Sequence, residues 1–444
     1  MQPPRITYEE ALDFLYRSLP MYQRQGGAAY KANLDNTLRL DKAFGHPHRR
    51  FATLHVAGTN GKGSVSHMLA AVFRQAGYRT GLYTSPHLLD FRERIRIDGE
   101  KIPRERVLEF VENHRDLIRD IEPSFFEMTV AMAFDHFARE RVDVAVVETG
   151  MGGRLDSTNI VDPELSVITN ISKDHTEFLG DTPEAIAREK GGIIKPGRPV
   201  VLGPMDAGTR RVLEGMAREA KAPCFPAGDR WEAGLKTLGP DGLTRYHMRA
   251  LPGRETRILA CDLAGTYQKE NLMTVLTALE VLSNRGWTLP REDVERGLSR
   301  VGLDTGLLGR WQTLGFNPRL VCDTAHNEAG VKAVVEQIRD TPWKNLHLVW
   351  GCVRDKDAAG ILQLLPGSAR YYYTRPSVER AMPVETLAGI GAACGRGGQT
   401  FPRVAEAVEA ARAAADRDDM VFVGGSTFVV ADLLSDPAWG LEGF

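Results

Sequence analysis

The stretch that decides the fold covers residues 53–77 and reads TLHVAGTNGKGSVSHMLAAVFRQAG. Its first five residues form a mostly apolar run, which predicts a buried strand over 53–57. From residue 64 to 76 the apolar side chains recur at helical spacing, and Gly77 is a typical end to the predicted helix. A glycine-rich loop between a strand and a helix points backbone N–H groups at one place, so the order predicts a phosphate-binding turn.

Lys62 lies in this loop, where it would supply a mobile cation for the β and γ phosphates of a nucleotide. The strict pattern G-x-x-x-x-G-K-[ST] is not met. Val56 stands at the first glycine position, and Gly63 separates Lys62 from Ser64. The alternative is a glycine-rich turn with an exposed lysine. The order of strand, loop, lysine and helix favours nucleotide binding.

After this unit, short apolar runs alternate with longer helical patterns, which predicts a parallel sheet covered by helices. The other predicted strands of the first part are 142–147, 165–169 and 199–202, and its other predicted helices are 183–191, 265–282 and 290–298. The alternation of strands and helices begins again in the second part of the chain. Its predicted strands are 320–322, 346–350, 371–374 and 420–423, and its predicted helices are 328–338 and 404–415. We therefore predict a larger domain at 1–301, a linker at 302–310 and a smaller α/β domain at 311–444.

Composition excludes several classes of protein. Of the 444 residues, 43% are apolar and 26% are charged, which are ordinary globular values and exclude disorder as the main state. The formal net charge is −2, so the overall charge gives no indication of a nucleic-acid or membrane partner. The five cysteines are widely spaced and form no CxxC pair, which favours free thiols in a reducing compartment. Without a visible signal peptide or a long apolar run, we expect a cytoplasmic protein.

A second glycine cluster follows the predicted strand 142–147 and contains Gly150, Gly152 and Gly153. Glu148 comes at the carboxyl end of that strand, where open α/β sheets place residues that contact ligands. A carboxylate opposite a phosphate loop suits Mg²⁺, although a solvated loop acid is the alternative. No GxGxxG follows a strand with an acid about 20 residues on, so a dinucleotide-binding oxidoreductase ranks last.

Several segments in the same order resemble the folylpolyglutamate synthase and dihydrofolate synthase family, relatives of the Mur ligases. They are HVAGTNGKGS at 55–64, TSPHL at 84–88, ERI at 93–95, SFFE at 124–127, ETGMGGRLDSTN at 148–159, KDH at 173–175, REKGGIIKPG at 188–197, GRWQ at 309–312 and DTAHN at 323–327. The resemblance extends through nearly the whole chain. It implies an α/β protein with a larger N-terminal P-loop-type domain, a mostly parallel sheet with helices on both faces. A smaller C-terminal domain would be Rossmann-like.

The resemblance implies a nucleotide site with contributions from both predicted domains. The positions that match ATP contacts are Gly61, Lys62, Gly63, Ser64, Asn271, Arg310 and Asp323. Arginine can neutralise phosphate charge and aspartate can accept ribose hydroxyls, whereas the alternative pairs Arg310 and Asp323 in an interdomain salt bridge. The resemblance also assigns catalytic positions to Lys62, Lys190 and His326. The roles of His326 and the adjacent Asn327 stay unresolved.

The resemblance further implies metal ligands at Ser85, Glu148 and His175, with Mg²⁺ as the ion, two ions in all and Ser64 as a further candidate ligand. A lone histidine is more often structural, so the position of His175 just past a predicted strand is what favours a ligand role. In the family, the lysine that matches Lys190 is carbamylated and supports the second metal. From the residues alone, Lys190 is interpreted as a surface lysine, and nothing in the sequence itself favours another role.

Substrate contacts are implied in three places. The matching positions are Thr59, Asn60, Ser124, Phe125, Phe126, Glu127, Leu155, Asp156 and Ser157. A flat pterin needs stacking on its face and hydrogen bonds at its edge, which an aromatic pair and Asp156 would supply. The alternative for Phe125 and Phe126 is core packing at a helix start. Residues 84–95 resemble the family's mobile loop that closes over substrate.

The leading hypothesis is an ATP-dependent ligase that adds L-glutamate to dihydropteroate and to folylpolyglutamates through an acyl phosphate, in folate biosynthesis. The alternatives are folylpolyglutamate synthase activity alone, a Mur-type ligase acting on another carboxylate, or a P-loop ATP-binding switch without ligase activity. The expected partners are therefore small molecules, namely ATP, L-glutamate and dihydropteroate or folate. No heptad seam suggests assembly, so we expect a monomer.

Overall fold

The structure is a computed structural model that describes residues 6–20, 33–252 and 255–440. Its α-helices are, in chain order, α1 (Tyr8–Ser18), α2 (Asp35–Ala43), α3 (Lys62–Gln75), α4 (Arg104–Ile121), α5 (Phe125–Arg139), α6 (Thr176–Leu179), α7 (Pro183–Gly191), α8 (Ala207–Glu219), α9 (Gln268–Ser283), α10 (Arg291–Leu298), α11 (Val301–Thr305), α12 (Glu328–Arg339), α13 (Ala358–Leu364), α14 (Val384–Ala393), α15 (Val404–Ala413) and α16 (Thr427–Leu434). Within the described ranges, every helix is too short or too polar to span a membrane.

The β-strands of the same ranges are β1 (Ala52–Ala57), β2 (Thr80–Tyr83), β3 (Ile95–Ile97), β4 (Glu100–Lys101), β5 (Val144–Glu148), β6 (Leu165–Ile168), β7 (Val200–Leu202), β8 (Cys224–Pro226), β9 (Trp231–Leu238), β10 (Thr244–Ala250), β11 (Thr256–Cys261), β12 (Gln312–Phe316), β13 (Arg319–Cys322), β14 (Leu346–Trp350), β15 (Arg370–Thr374), β16 (Gly398–Phe401) and β17 (Met420–Gly424).

The chain divides into two compact units. The first comprises the described part of residues 1–262 together with Lys269–Thr305, and the second comprises Leu263–Gln268 and the described residues from Gly306 onward. The division after Thr305 falls inside 302–310, the segment that the sequence analysis treats as a linker. Residues 301–305 form helix α11 there, so this stretch is more regular than expected.

An eight-stranded sheet organises the first unit, in the order β4-β3-β2-β5-β1-β6-β7-β8. Strands β2, β5, β1, β6, β7 and β8 run parallel, and β3 and β4 add an antiparallel edge. Because parallel strands end at the same edge, the loops that follow β1, β2, β5 and β6 all emerge together. These four loops contain the two glycine clusters and the segments that begin at Thr84 and Thr169.

Both faces of the large sheet are covered by helices. On one face, Tyr83 and Val147 belong to a core cluster with residues of α4 and α5, while Ile168 and Leu202 belong to another with residues of α7 and α8. Side chains alternate between the faces along a strand, so Val146 points to the opposite face, where α3 packs on β1, β2 and β5. Strands covered on both sides favour apolar residues on both faces, which explains why these strands are mostly apolar.

Two further sheets complete the fold. In the first unit, β9, β10 and β11 form an antiparallel meander. The second unit has a six-stranded sheet in the order β12-β13-β17-β14-β15-β16, parallel except for the edge strand β12. The core of this unit includes Trp350 and Phe422, with residues of α12, α13 and α14 around them.

The predicted fold class is confirmed, since both units contain a mainly parallel sheet packed with helices. The predicted strands correspond to β1, β5, β6, β7, β13, β14, β15 and β17, with small shifts at their ends. The prediction of a helix from residue 265 is wrong at its start, because α9 begins at Gln268. The backbone N–H of Thr266 donates instead to the Gln337 side chain at 2.9 Å, which fixes this segment to the second unit.

Candidate active site

The glycine-rich loop at 58–64 joins β1 to α3 at the carboxyl edge of the large sheet. Gly61 precedes the helix with φ of 83° and provides no side-chain cap, so the helix begins at Lys62 with its first-turn N–H groups turned toward the loop. The Nζ atom of Lys62 donates to the carbonyl oxygens of Gly58 at 3.1 Å and of Thr59 at 3.2 Å. The lysine is folded back over the loop, where it can reach a bound phosphate.

Residues just after β6 hold this loop in shape. The Thr169 hydroxyl donates to the carbonyl of Asn60 at 2.6 Å, and the Asn170 side chain accepts from the N–H of Asn60 at 2.9 Å. The Thr59 hydroxyl donates to the carbonyl of Ser172 at 3.0 Å. Thr59 and Asn60, which the resemblance assigns to substrate, therefore have a structural task as well. Sequence reasoning missed Thr169 and Asn170, although Thr169 ends a predicted strand and Asn170 follows it directly.

Close packing explains two of the loop glycines. A Cβ atom on Gly58 would lie 1.9 Å from the Thr169 hydroxyl oxygen, and one on Gly61 would lie 2.3 Å from the Asn271 side-chain oxygen. Real Cβ atoms do not approach other atoms so closely. The structure thus brings Asn271, on α9, directly against the phosphate loop.

Lys190 is also part of this loop's surroundings. It lies on α7, is 5% exposed, and donates from Nζ to the carbonyl of Gly58 at 2.7 Å. The surface-lysine alternative is therefore wrong. Burial lowers the pKa of Lys190 to about 7, with the positive charge of Lys62 acting in the same direction against Asp174 and Asp156. Near neutral pH a large fraction of this amine is uncharged and nucleophilic.

The carboxylate predicted to bind metal lies beside the phosphate loop. Glu148 ends β5, is buried, and accepts from the backbone N–H of Ser85 at 3.0 Å. His175 precedes α6, with its Nε2 atom 4.0 Å from an oxygen of Asp174. Ser85 and Glu148 are thus brought together. Over residues 6–20, 33–252 and 255–440, no group of three or more His, Cys, Asp or Glu side chains is arranged to hold a metal ion.

Asp156 organises the second glycine cluster. One of its oxygens accepts from the N–H groups of Gly150 at 2.8 Å and Met151 at 2.9 Å, and the other accepts from the N–H and the hydroxyl of Thr158. Burial raises the pKa of this carboxyl, and these hydrogen bonds oppose the effect. A carboxylate has about four acceptor positions. A direct bond from Asp156 to a pterin would therefore have to replace one of these contacts.

The SFFE segment begins helix α5 with a capping box. The Ser124 hydroxyl accepts from the N–H of Glu127 at 3.2 Å, and the Glu127 carboxylate accepts from the N–H of Ser124 at 2.6 Å. Ser124 and Glu127 thus satisfy two backbone N–H groups at the helix start. For Phe125 the core-packing alternative is supported, since its ring is 3% exposed and lies in the core beneath α4.

Phe126 differs from its neighbour. It is half-buried, and its ring lies so close to Gly150 that a Cβ atom there would be 2.5 Å from it. Of the two predicted stacking rings, Phe126 is the one that borders the second glycine cluster. Leu155 is half-buried and Ser157 is buried in the same loop.

The segment at 84–95, predicted to be mobile, contains a buried cation that sequence reasoning missed. Arg94 is 3% exposed, lies over the Phe125 ring at 5.2 Å, and donates from Nε to His87 Nδ1 at 2.8 Å. Burial, together with Arg94, lowers the pKa of His87 to about 3, so this histidine is neutral. The carboxylate of Glu93 accepts from the N–H groups of Leu88 at 2.7 Å and Leu89 at 2.8 Å, which fixes the loop.

In the second unit, the predicted nucleotide contacts lie around the end of β13. Asp323 is buried and accepts from the hydroxyl of Tyr267 at 2.6 Å and from the N–H of Trp311 at 2.7 Å. Arg310 donates to the hydroxyl of Thr324 and to the carbonyl of Gly309. Both predicted residues belong to one unit, so the alternative of an interdomain salt bridge is wrong.

His326 and Asn327 follow Asp323 and Thr324 in the DTAHN segment. His326 has Nδ1 3.1 Å from the carbonyl oxygen of Thr324. Asn327 caps helix α12 by accepting from the N–H of Gly330 at 2.9 Å. A helix-capping role accounts for Asn327, whereas the catalytic role of His326 stays a prediction.

Comparisons with known proteins give the same family along the chain. The Mur ligase middle domain matches residues 56–279, and the Mur ligase glutamate ligase domain matches residues 309–427. A dihydrofolate synthase/folylpolyglutamate synthase of Escherichia coli is 31% identical over 387 residues, which cover 85% of each protein. The chain belongs to the folylpolyglutamate synthase/dihydrofolate synthase family of the Mur ligases.

Other members of the folylpolyglutamate synthase/dihydrofolate synthase family add to this finding. A probable bifunctional folylpolyglutamate synthase/dihydropteroate synthase of Haloferax volcanii is 35% identical over 449 residues, or 96% of this chain. The chain spans only about half of that relative, 50% of its length. A structure of E. coli FolC in complex with DHPP and ADP superposes with a TM-score of 0.84 at 28% identity, covering 97% of both chains.

Proposed function

We propose that this chain is an ATP-dependent ligase that joins L-glutamate to the carboxylate of dihydropteroate, forming dihydrofolate, and to folylpolyglutamates. The observation that carries the proposal is the loop at 58–64, where Lys62 and Lys190 both donate to the carbonyl of Gly58 beside the buried Glu148. The Lys62 cation and the N–H groups at the start of α3 favour the binding of a polyphosphate at this loop. The family of the chain adds the carboxylate and amine substrates.

The chemistry explains why ATP is needed. A carboxylate does not condense with an amine in water, because the leaving group would be oxide. Transfer of the γ-phosphoryl group makes an acyl phosphate, and the glutamate amine then displaces phosphate. Lys62 would offset the charge that gathers on the transferring group, and Arg310 is a second candidate for that task.

Mg²⁺ would be held by Ser85, Glu148 and His175. The buried carboxylate of Glu148 is the kind of oxygen ligand that a hard cation prefers, and the hydrogen bond from the Ser85 N–H brings Ser85 beside it. When bound there, the ion would neutralise charge on phosphate oxygens. Ser64, in the phosphate loop, is a further candidate ligand.

Lys190 would be carbamylated and would support a second metal ion. Its uncharged amine attacks CO₂, a C–N bond forms, and a proton is released. The product is an anion in place of a cation. The pKa of about 7 and the burial of Lys190 support this step, since an ordinary lysine is protonated at neutral pH. The anion would also remove the repulsion between Lys190 and Lys62.

The pteroate part of the substrate would lie against Phe126 and the second glycine cluster. Phe126 is half-buried and borders Gly150, so its ring is the better stacking candidate. Asp156 would then shape the loop through Gly150 and Met151. Asn271, Arg310, Asp323 and His326 stay proposed contacts for ATP and its reaction. A monomer in the cytoplasm, without nucleic-acid or membrane partners, also stays a prediction.

ADP release tests the proposal. The purified chain is incubated with ATP, Mg²⁺ and L-glutamate, and in turn with dihydropteroate, tetrahydrofolate or a nucleotide-sugar peptide. We expect ADP release with the first two, each only in the presence of glutamate. Release with tetrahydrofolate alone would show that the chain has folylpolyglutamate synthase activity but no dihydrofolate synthase activity. Release with the nucleotide-sugar peptide alone would favour a Mur-type ligase, and release without glutamate or acceptor would favour a P-loop switch.

A further inference from the structure

The segment Leu263–Gln268 interrupts the first unit along the chain but belongs to the second. Two neighbouring contacts fix it there. The N–H of Thr266 donates to the side chain of Gln337, which lies on α12, and Ala264 packs against the core of the second unit. The backbone just before Tyr267 is therefore fixed to the second unit, and the tyrosine side chain extends from a defined position.

Gly265 allows the Tyr267 ring to fold back over the chain. A Cβ atom at Gly265 would lie 2.6 Å from the ring carbon that carries the hydroxyl. In this arrangement the Tyr267 hydroxyl reaches Asp323 and donates to its Oδ2 atom at 2.6 Å. In the sequence Gly-Thr-Tyr at 265–267, Gly265 leaves room for the tyrosine ring, Thr266 fixes the backbone to Gln337, and Tyr267 donates to Asp323.

The Asp323 carboxylate has a specific pattern of donors. Oδ2 accepts from the Tyr267 hydroxyl and from the N–H of Trp311, while Oδ1 accepts from the N–H of Ala325 at 2.8 Å. A carboxylate offers about four acceptor positions, two on each oxygen. Among the described residues, these three donors leave one acceptor position on Oδ1 for a ligand hydroxyl.

We propose that Tyr267 is a positioning residue for the nucleotide, because its hydroxyl orients the Asp323 carboxylate so that Oδ1 accepts from a ribose hydroxyl. The inference rests on the proposed function in taking the ligand of Asp323 to be ATP or ADP. Burial raises the pKa of Asp323, and the hydrogen bond from Tyr267 is the strongest influence that opposes it. Loss of that bond would raise the pKa of Asp323 further and leave the carboxylate less well oriented.

Tyr267→Phe tests the proposal by removing one hydroxyl group from the full chain. The matched control is Tyr371→Phe in the same unit, since the buried Tyr371 likewise donates from its hydroxyl, in this case to the carbonyl of Pro366 at 2.8 Å. The ADP dissociation constant is measured by calorimetry, and kcat and the KM for ATP by ADP release. We expect Tyr267→Phe to raise both the dissociation constant and KM about tenfold with kcat within twofold. The control leaves all three unchanged.

ADP that lacks both ribose hydroxyls separates positioning from a loss of structure. The wild type should bind this analogue about tenfold more weakly than ADP, whereas Tyr267→Phe should bind the two equally. Gly265→Ala, which keeps the hydroxyl but displaces the ring, should behave like Tyr267→Phe. Equal losses for ADP and the analogue in Tyr267→Phe, or an ADP affinity within twofold of wild type, would overturn the proposal. A wild type that binds ADP but ligates nothing would contradict the proposed function alone.

Discussion

Gly61 and Gly77 flank helix α3 with almost the same backbone angle, φ of 83° and 86°. Their surroundings differ. A Cβ atom at Gly61 would meet the side chain of Asn271 at 2.3 Å, whereas one at Gly77 would meet nothing within 4 Å. The pair therefore separates the cost of an unusual backbone angle from the cost of disturbing the phosphate loop.

We expect Gly61→Ala to weaken ADP binding by at least tenfold, because either the loop or Asn271 must move. Gly77→Ala should lower the free energy of unfolding by roughly 1–2 kcal/mol, the cost of a left-handed non-glycine residue, and leave ADP binding unchanged. Calorimetry with ADP and urea unfolding measure both effects. Equal ADP affinities in the two variants would show that the contact with Asn271 is unimportant.

The recovery of ligase activity after removal of CO₂ should depend on pH because of Lys190. Its pKa of about 7 means that the amine is mostly protonated at pH 6 and mostly neutral at pH 8. Only the neutral amine reacts with CO₂. Enzyme stripped of CO₂ should therefore lose ligase activity and regain it on addition of bicarbonate, about ten times more slowly at pH 6 than at pH 8 at equal dissolved CO₂.

Lys190→Arg should be inactive at every pH and should not respond to bicarbonate, because a guanidinium stays charged. Lys195→Arg is the matched control, since Lys195 is half-buried and donates to the carbonyl of Asn159 at 2.8 Å. This control should keep the wild-type response to bicarbonate. Activity that is indifferent to CO₂ in the wild type would argue against the carbamate.

Among the elements, the first turn of α5 places two adjacent phenylalanines in different environments. Phe125→Ala should lower the free energy of unfolding by roughly 3–5 kcal/mol, because the ring is buried in the core. Phe126→Ala should cost less stability but raise the KM for dihydropteroate about tenfold, since its half-buried ring borders the second glycine cluster. Chemical unfolding and steady-state kinetics on both variants check this. A larger KM effect in Phe125→Ala would reverse the assignment.

The sequence predicts elements well where burial dictates the pattern. Strands of the two parallel sheets are buried on both faces and read as continuous apolar runs, so β1, β5 and β14 are visible directly. The β9–β11 meander is missed, because its strands carry charged residues such as Arg249 and are partly exposed. The capping box of Ser124 and Glu127 likewise follows a pattern of the sequence, since a serine three residues before a glutamate is typical of a helix start.

Across the whole molecule, topology decides which distant residues meet. Lys62 and Lys190 are far apart in the sequence, yet both donate to the carbonyl of Gly58. The sequence predicts that loops after parallel strands share one edge, but not which atoms touch there. Contacts such as Tyr267 with Asp323 depend on the short segment that groups with the second unit, and no periodicity signals that arrangement.

The charge of the molecule fits this arrangement. With a net charge of −2, the chain has no overall excess of positive charge to attract a polyanion from a distance. Instead, Lys62 and the start of α3 concentrate positive charge at one loop. We infer that a nucleotide is bound by local groups, so its affinity should depend only weakly on ionic strength.

The mass of the product tests the central claim most directly. The full chain is incubated with ATP, Mg²⁺, L-glutamate and dihydropteroate, and the pterin product is analysed by mass spectrometry. We expect dihydropteroate that has gained one glutamyl residue, formed together with ADP in equal amount. Dihydropteroate recovered unchanged while tetrahydrofolate gains glutamate would contradict the dihydrofolate synthase claim, and both recovered unchanged would contradict ligation altogether.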